Sequence, residues 1–286
     1  MQNANLSNTA MLVRLSISQW TARKYDKKVS ENVATQYMAD KNAGRYNKVL
    51  VAEEAIKAIQ KTANEARTYH YEQTLPWGDD DSRLLPAANY LHYSEKMRGL
   101  RVNFESAVAD FIAAYPVLVD EAKARLNGMF NASDYPYQSE IARRYSFGVS
   151  INPLPSSDDF RVSLHDSEVL AIRADIAERT KQAQQTAMAD LWSSLHTAVS
   201  HIADKLHDKD AIFRDSLIHN VVDICELLPR LNVLGDVNLE NMRQAVEGKL
   251  CSYRPDDLRA NKTERKNAAN DAASILDAMS AYMGGE

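Results

Sequence analysis

From Asp166 to His207 the chain runs DSEVLAIRADIAERTKQAQQTAMADLWSSLHTAVSHIADKLH, without a glycine or a proline. Val169, Ile172, Ile176, Ala183, Ala187, Leu191, Leu195, Val199, Ile202 and Leu206 recur there at steps of three, four or seven. That spacing draws one apolar stripe along a helix. At 1.5 Å per residue the rod is roughly 60 Å long. A stripe of that length needs partners, and the rest of the chain reads as their source. Asp166 or Ser167 is the expected cap, with Glu168 favourably placed in the first turn.

On the N-terminal side of this rod the period changes. Tyr145, Phe147, Val149 and Ile151 alternate with polar or small residues, and Phe160, Val162 and Leu164 alternate again. The stretch Asn152-Pro153-Leu154-Pro155-Ser156-Ser157 between them is rich in turn residues, so a β-hairpin is expected at about 145–164. Two strands alone are marginal. Met11, Val13, Leu15 and Ile17 show period two as well, and the strand 11–17 offers a third member that would tie the N-terminus to the middle of the chain.

Helices are expected elsewhere. One spans Trp20–Ala39, with Ala22, Tyr25, Val29, Val33 and Tyr37 inward. After Asn42-Ala43-Gly44 a second carries Tyr46, Leu50, Ile56, Ile59, Ala63 and Ala66 inward. Thr74–Pro86, with two prolines, a glycine and three consecutive aspartates, reads as irregular. A third helix runs to Leu126, with Pro116 predicting a kink or break near Tyr115. Beyond the rod, a helix from Ile212 ends at Pro229, and Asn238 caps another over Leu239–Leu250. A polar segment then leads into an amphipathic helix through Ala272, Ile275, Met279 and Tyr282. The fold class is therefore mainly α, a long-helix bundle with a small antiparallel β-sheet. Residues 1–253 form one helical domain holding the hairpin, and 254–286 form a polar linker and a detachable C-terminal helix.

Composition sets wide bounds. In 286 residues, 45% are apolar and 26% charged, with only nine Gly and eight Pro, as in ordinary helical globular proteins. No run of 18 apolar residues marks a membrane span, and the leader MQNANLSNTA is unlike a signal peptide, so a cytoplasmic protein without membrane partners is expected. Cys225 and Cys251 make no framework and are expected as free thiols. The net charge of −5 hides an asymmetry: residues 1–61 hold ten Lys or Arg against five Asp or Glu. A basic end can meet an anionic partner, or it can be a solvated face balanced by the acidic remainder.

Motifs for chemistry are missing. The seven histidines lack the three- or four-residue helical spacing of a metal pair, and HExxH and CxxC do not occur. Neither phosphate-binding glycine loop nor GxSxG is present. No metal or cofactor is expected, and no enzymatic activity. Two constellations remain. Trp77 between Pro76 and Gly78, with Arg83 nearby, is either a partner-binding anchor or a core residue whose Arg83 pairs with an acid of its own loop. Arg23, Lys24, Lys27, Lys28, Lys41, Arg45 and Lys48 interleave with Trp20, Tyr25, Tyr37 and Tyr46, the mixture used by single-strand binders. Tyrosines on an inward stripe and the acidity of the whole chain weigh against that use.

Several short motifs point further. Leu15-Ser16-Ile17 with Trp20-Thr21-Ala22-Arg23-Lys24, Thr74-Leu75-Pro76-Trp77, Arg83-Leu84-Leu85-Pro86, Ser133-Asp134-Tyr135-Pro136, Pro153-Leu154-Pro155 and Leu231-Asn232-Val233 stand in this order. Over about residues 11–250 the chain resembles an uncharacterised domain-of-unknown-function family of bacteriophages, plasmids and integrative elements. The resemblance implies a mobile-element setting in a bacterial host cell and genes neighbouring AAA+ ATPases of the MoxR or CobS type. It supplies no active-site residues. The resulting expectation is a non-enzymatic protein that acts by self-assembly or by binding a protein partner such as an AAA+ ATPase. Single-stranded DNA binding in recombination or replication is the alternative.

Overall fold

The computed structural model describes residues 6–78, 81–155, 165–207 and 214–283. In chain order these form α1 (Leu6–Thr9), β1 (Ala10–Ser18), β2 (Arg23–Tyr25), α2 (Lys27–Gln36), β3 (Asn47–Val49), α3 (Glu53–Glu72), β4 (Leu75–Pro76), β5 (Arg83–Pro86), α4 (Tyr90–Leu126), α5 (Gln138–Ala142), β6 (Ser146–Pro153), α6 (Asp166–His207), α7 (Ser216–Leu231), α8 (Val237–Lys249), α9 (Pro255–Ala260) and α10 (Lys262–Met283). The protein is mainly helical, with a four-stranded sheet of order β4-β5-β1-β6 and a separate β2–β3 pair. Two compact units emerge: Met1–Arg14, Tyr71–Tyr93 and Ser150–Glu286 in one, Leu15–His70 and Ser94–Val149 in the other. This division does not follow the boundary expected after residue 253, because α9 and α10 pack into the first unit.

The first unit is built on α6. Ala187, Leu191, Leu195, Val199 and Ile202 are buried along it, in one core with Val221, Cys225 and Leu228 of α7 and Ala268, Ala272, Ile275 and Met279 of α10. Buried alanines on both helices, Ala187 on α6 and Ala268 and Ala272 on α10, let the two backbones approach closely. The end of α6 is closed by the last helix: the Arg265 guanidinium donates to the carbonyls of Leu206 at 3.2 Å and Lys205 at 3.0 Å. A cation there also complements the negative end of the helix dipole. The tail expected to be detachable is thus an integral part of this core. At the other end Glu168 and Val169 donate to the His165 carbonyl, so His165 holds the cap position and Asp166 the first turn.

Other boundaries shift for local reasons. Asp236, not Asn238, caps α8: its Oδ1 accepts from the amides of Asn238 and Leu239, while Oδ2 accepts from the Trp192 indole at 3.2 Å. Pro229 lies inside α7 rather than ending it, and the helix closes at Leu231. Cys225 and Cys251 are free thiols. A hydrogen bond between them, together with burial, pushes Cys225 up, and the same bond lowers Cys251.

The strand expected at 11–17 is β1, and β6 lies beside it; the hairpin's second strand, at 160–164, lies outside the described residues. The segment read as irregular, 74–86, instead contributes two short strands. Leu75 and Pro76 pair with Leu84 and Arg83, and β5 continues onto β1 with Leu84 opposite Leu12. Pro76 is tolerated because β4 is the edge, and Pro86 because it ends β5.

In the second unit, Phe104, Val108, Phe111 and Tyr115 of α4 pack with Ile56, Ile59 and Ala63 of α3 around Trp20 and Ile141. By length and composition alone Ala87–Met129 could cross a bilayer; here its aromatic face fills a protein core. α4 runs through Pro116 without a break. A proline cannot donate to the carbonyl four residues back, which is that of Ile112. The Gln138 side-chain amide takes that place, donating to the Ile112 oxygen at 2.7 Å.

Candidate functional site

Residues 20–50 depart most from expectation. The helix expected over Trp20–Ala39 is divided: Ala22 adopts φ +53°, Arg23–Tyr25 form a strand, and the helix starts only at Lys27. Asp26 sets that start, its carboxylate accepting from the Val29 amide at 3.1 Å. The region after Gly44 is strand β3, which pairs with β2 through Arg23↔Val49, Lys24↔Lys48 and Tyr25↔Asn47, and α3 begins only at Glu53. Residues 23–49 thus form a small β-α-β lobe.

Lys48 locks this lobe from inside. Its side chain is 5% exposed and its ammonium meets Asp134 at 2.7 Å and Asp26 at 3.2 Å. It also donates to the Met129 carbonyl at 2.8 Å. The three partners use all three ammonium protons. Burial alone would depress the Lys48 pKa, but its hydrogen bonds to Asp134 and Asp26 outweigh this and raise it. The Val29 amide, with Lys48, holds Asp26 below its ordinary value against the effect of burial. Two more ties fix the strand end: Arg125 donates to the Val49 carbonyl and the Tyr135 hydroxyl to that of Leu50.

The outer side is the reverse of the expected stripe. Tyr25, Val33, Tyr37 and Tyr46 are exposed rather than inward, Tyr37 to 74% and the adjoining Met38 to 96%. The Arg45 guanidinium stands 5.9 Å from the Tyr25 ring centre. Lys24, Lys28 and Lys41 are exposed and have no ionic partner among the described residues. Arg23 is paired with Glu53 at 3.2 Å and Lys27 with Glu31 at 3.7 Å, both in solvent where such pairs exchange freely. Of the seven cations proposed from sequence, six are exposed at the surface of the lobe, and Lys48 is removed from it by burial. A pocket of about 370 Å³ opens between α2 and the following loop, lined by Val33, Ala34, Tyr37, Asp40, Arg45 and Tyr46 among others.

Trp77 and Arg83 serve the β4–β5 hairpin. Arg83 donates from Nε to the Thr74 hydroxyl at 2.7 Å and from Nη2 to the Thr74 carbonyl at 2.8 Å, with its guanidinium 4.7 Å from the Tyr71 ring centre. Among the described residues its partners are thus Thr74 and Tyr71; of the loop's aspartates, Asp81 pairs with Arg14, and Asp79 and Asp80 lie outside the described residues. Burial draws its pKa down, opposed by Asp190. Trp77 is half-buried against the core of the first unit. Its outer part borders a cleft with Ile176, Arg179, Gln182 and Thr186 of α6.

Among the described residues no group of three or more His, Cys, Asp or Glu is placed to hold a metal ion. Sequence reasoning missed Asp26 and Asp134, the partners that bury Lys48, and Asp40 in the pocket wall. No sequence signal set Lys48 apart, because Asp134 and Met129 come from a distant segment. No family model, curated protein or solved structure matches the chain.

Proposed function

We propose that the lobe of residues 23–49 binds single-stranded nucleic acid. The observation that carries this reading is the exposure, on one small lobe held together by the buried Lys48, of Tyr25, Tyr37 and Tyr46 and of Lys24, Lys28 and Lys41, which have no ionic partner among the described residues. Ammonium groups neutralise phosphates, and exposed rings stack on unpaired bases regardless of sequence. Leaving three tyrosines and a methionine in water is costly for a surface that meets nothing.

The test is fluorescence anisotropy with a labelled oligothymidylate over a range of salt. Binding is expected to weaken by about 0.7 logarithmic units per phosphate contact for each tenfold rise in salt. The triple variant Lys24→Glu, Lys28→Glu, Lys41→Glu is expected to lose about 100-fold in affinity at low salt and to flatten the salt slope by about 2. Binding indifferent to these changes overturns the reading. Competition by polyglutamate as effective as that by the oligonucleotide overturns it in favour of an acidic protein partner.

One observation supports the assembly reading, with a second copy or an AAA+ ATPase as partner. The apolar stripe of α6 continues through the half-buried Val169, Ile172 and Ile176 near its N-terminus, where Leu170 is 66% exposed. On this reading Leu170→Lys lowers the solution mass at high concentration; a mass that is monomeric in both proteins removes self-assembly.

A further inference from the structure

The pocket within the basic lobe has a shape and lining that a mere phosphate track does not need. It measures about 370 Å³, near the lower end of the range of small-ligand sites, roughly 300–1,000 Å³. That is room for one small planar group, not for a helix or a folded partner. Val33, Ala34 and Ala39 make its walls apolar, the rings of Tyr37 and Tyr46 stand at it, and Gly44 keeps the loop side open, with no atom within 4 Å of where a Cβ would lie.

Its polar equipment is a carboxylate and a guanidinium, Asp40 and Arg45, with no ion pair between them among the described residues. One Asp40 oxygen accepts from the Asn42 amide at 2.7 Å, which orients the side chain and leaves the other oxygen as an open acceptor. An exposed carboxylate in a lobe whose other exposed charges include Lys24, Lys28, Lys41 and Arg45 opposes phosphate binding. It is useful where the ligand brings hydrogen-bond donors of its own. Ser30 is already committed, donating to the Asp26 carbonyl and accepting from the Tyr46 amide, so it does not compete for them.

Resting on the nucleic-acid reading above, we infer that this pocket takes one unstacked nucleobase of the bound strand, with the Asp40 carboxylate reading amino donors on its edge. A base has apolar faces for Tyr37 and Tyr46, a polar rim for Asp40 and Arg45, and a neighbouring phosphate for the lysines. Guanine presents adjacent imino and amino donors to a carboxylate, and cytosine and adenine present an amino group. Thymine and uracil flank their single imino donor with two carbonyls, which a carboxylate repels. The lobe therefore binds generally but favours a strand that places an amino-bearing base, guanine above all, in the pocket.

The experiment compares labelled oligothymidylate of about fifteen nucleotides, within the span of a single-strand site, with the same strand carrying one central guanine. A central guanine is expected to tighten binding about 5-fold. Asp40→Asn is expected to bring that ratio to about 1. Because losing a negative charge tightens binding to both strands alike, only the ratio is read. Ala34→Phe, which fills the pocket, is expected to remove the preference while leaving the salt slope intact. Salt-dependent binding with no preference for guanine, or a preference that survives Asp40→Asn, overturns this inference and leaves the lobe as a plain single-strand binder. No binding to either strand at low salt overturns the reading of the lobe, and the inference with it.

Discussion

Replacing Lys48 by methionine is expected to lower folding stability by about 3–5 kcal/mol, the cost of removing one member of a buried ion pair. Methionine matches the length of the side chain but leaves the carboxylates of Asp26 and Asp134, only 15% and 11% exposed, without their counter-ion. It also leaves the Met129 carbonyl without its donor. Restoring neutrality should recover part of the loss, so Lys48→Met combined with Asp134→Asn is expected to be more stable than Lys48→Met alone. Urea unfolding followed by tryptophan emission checks this, because Trp20 is buried in the core of the same unit. A shift under about 1 kcal/mol would show that water reaches the cluster.

The same cluster sets a pH window. The folded-state pKa of Asp26 lies below 3.8, so its contribution is present above that value and lost as pH falls through the lower folded-state value. The folded-state pKa of Lys48 lies above 10.5, so its contribution is complete below that value and lost as pH rises through the higher one. The stability difference between wild type and Lys48→Met should therefore be flat from about pH 4 to pH 10 and shrink outside it.

The second large effect lies in the other unit. Leu195 on α6 has no exposed surface and belongs to the core shared by α6, α7 and α10. Leu195→Ala is expected to cost about 2–5 kcal/mol through lost burial and the cavity left behind. Val169→Ala, on the same stripe but half-exposed, is expected to cost under about 1 kcal/mol. Thermal unfolding of the two variants measures where the stripe bears its load. Equal shifts would mean that the start of α6 is as firmly packed as its middle.

That contrast also marks what could be read from the sequence. The stripes of α6 and α10 were legible because their partners need only be apolar and correctly spaced. Ile56, Ile59 and Ala63 of α3, and Phe104, Val108 and Phe111 of α4, were legible for the same reason. The lobe was not. Ala22, Tyr25, Val29 and Val33 mimic a helical period, but Asp26 captures the Val29 amide and restarts the helix four residues beyond Arg23. Nothing near Lys48 in the sequence separates it from its exposed neighbours, since Asp134 and Met129 arrive from a distant segment. Prolines misled in the same way: Pro76 and Pro86 fit strands only because of where those strands lie in the sheet. The exposed tyrosines, which carry the functional proposal, became visible only once the false period was broken.

The placement of Leu6 and Met279 in one core has a consequence for biosynthesis. The unit formed by Leu15–His70 and Ser94–Val149 is complete once about half the chain has left the ribosome. The other unit must wait for α10, whose Arg265 closes α6 and whose alanines cover it. At a synthesis rate of about 5–20 residues per second, the stripe of α6 is uncovered for several seconds in every nascent chain. A chaperone that shields long apolar helices would meet this protein during that interval, and a premature stop before residue 262 would leave the part of the stripe that α10 covers bare permanently.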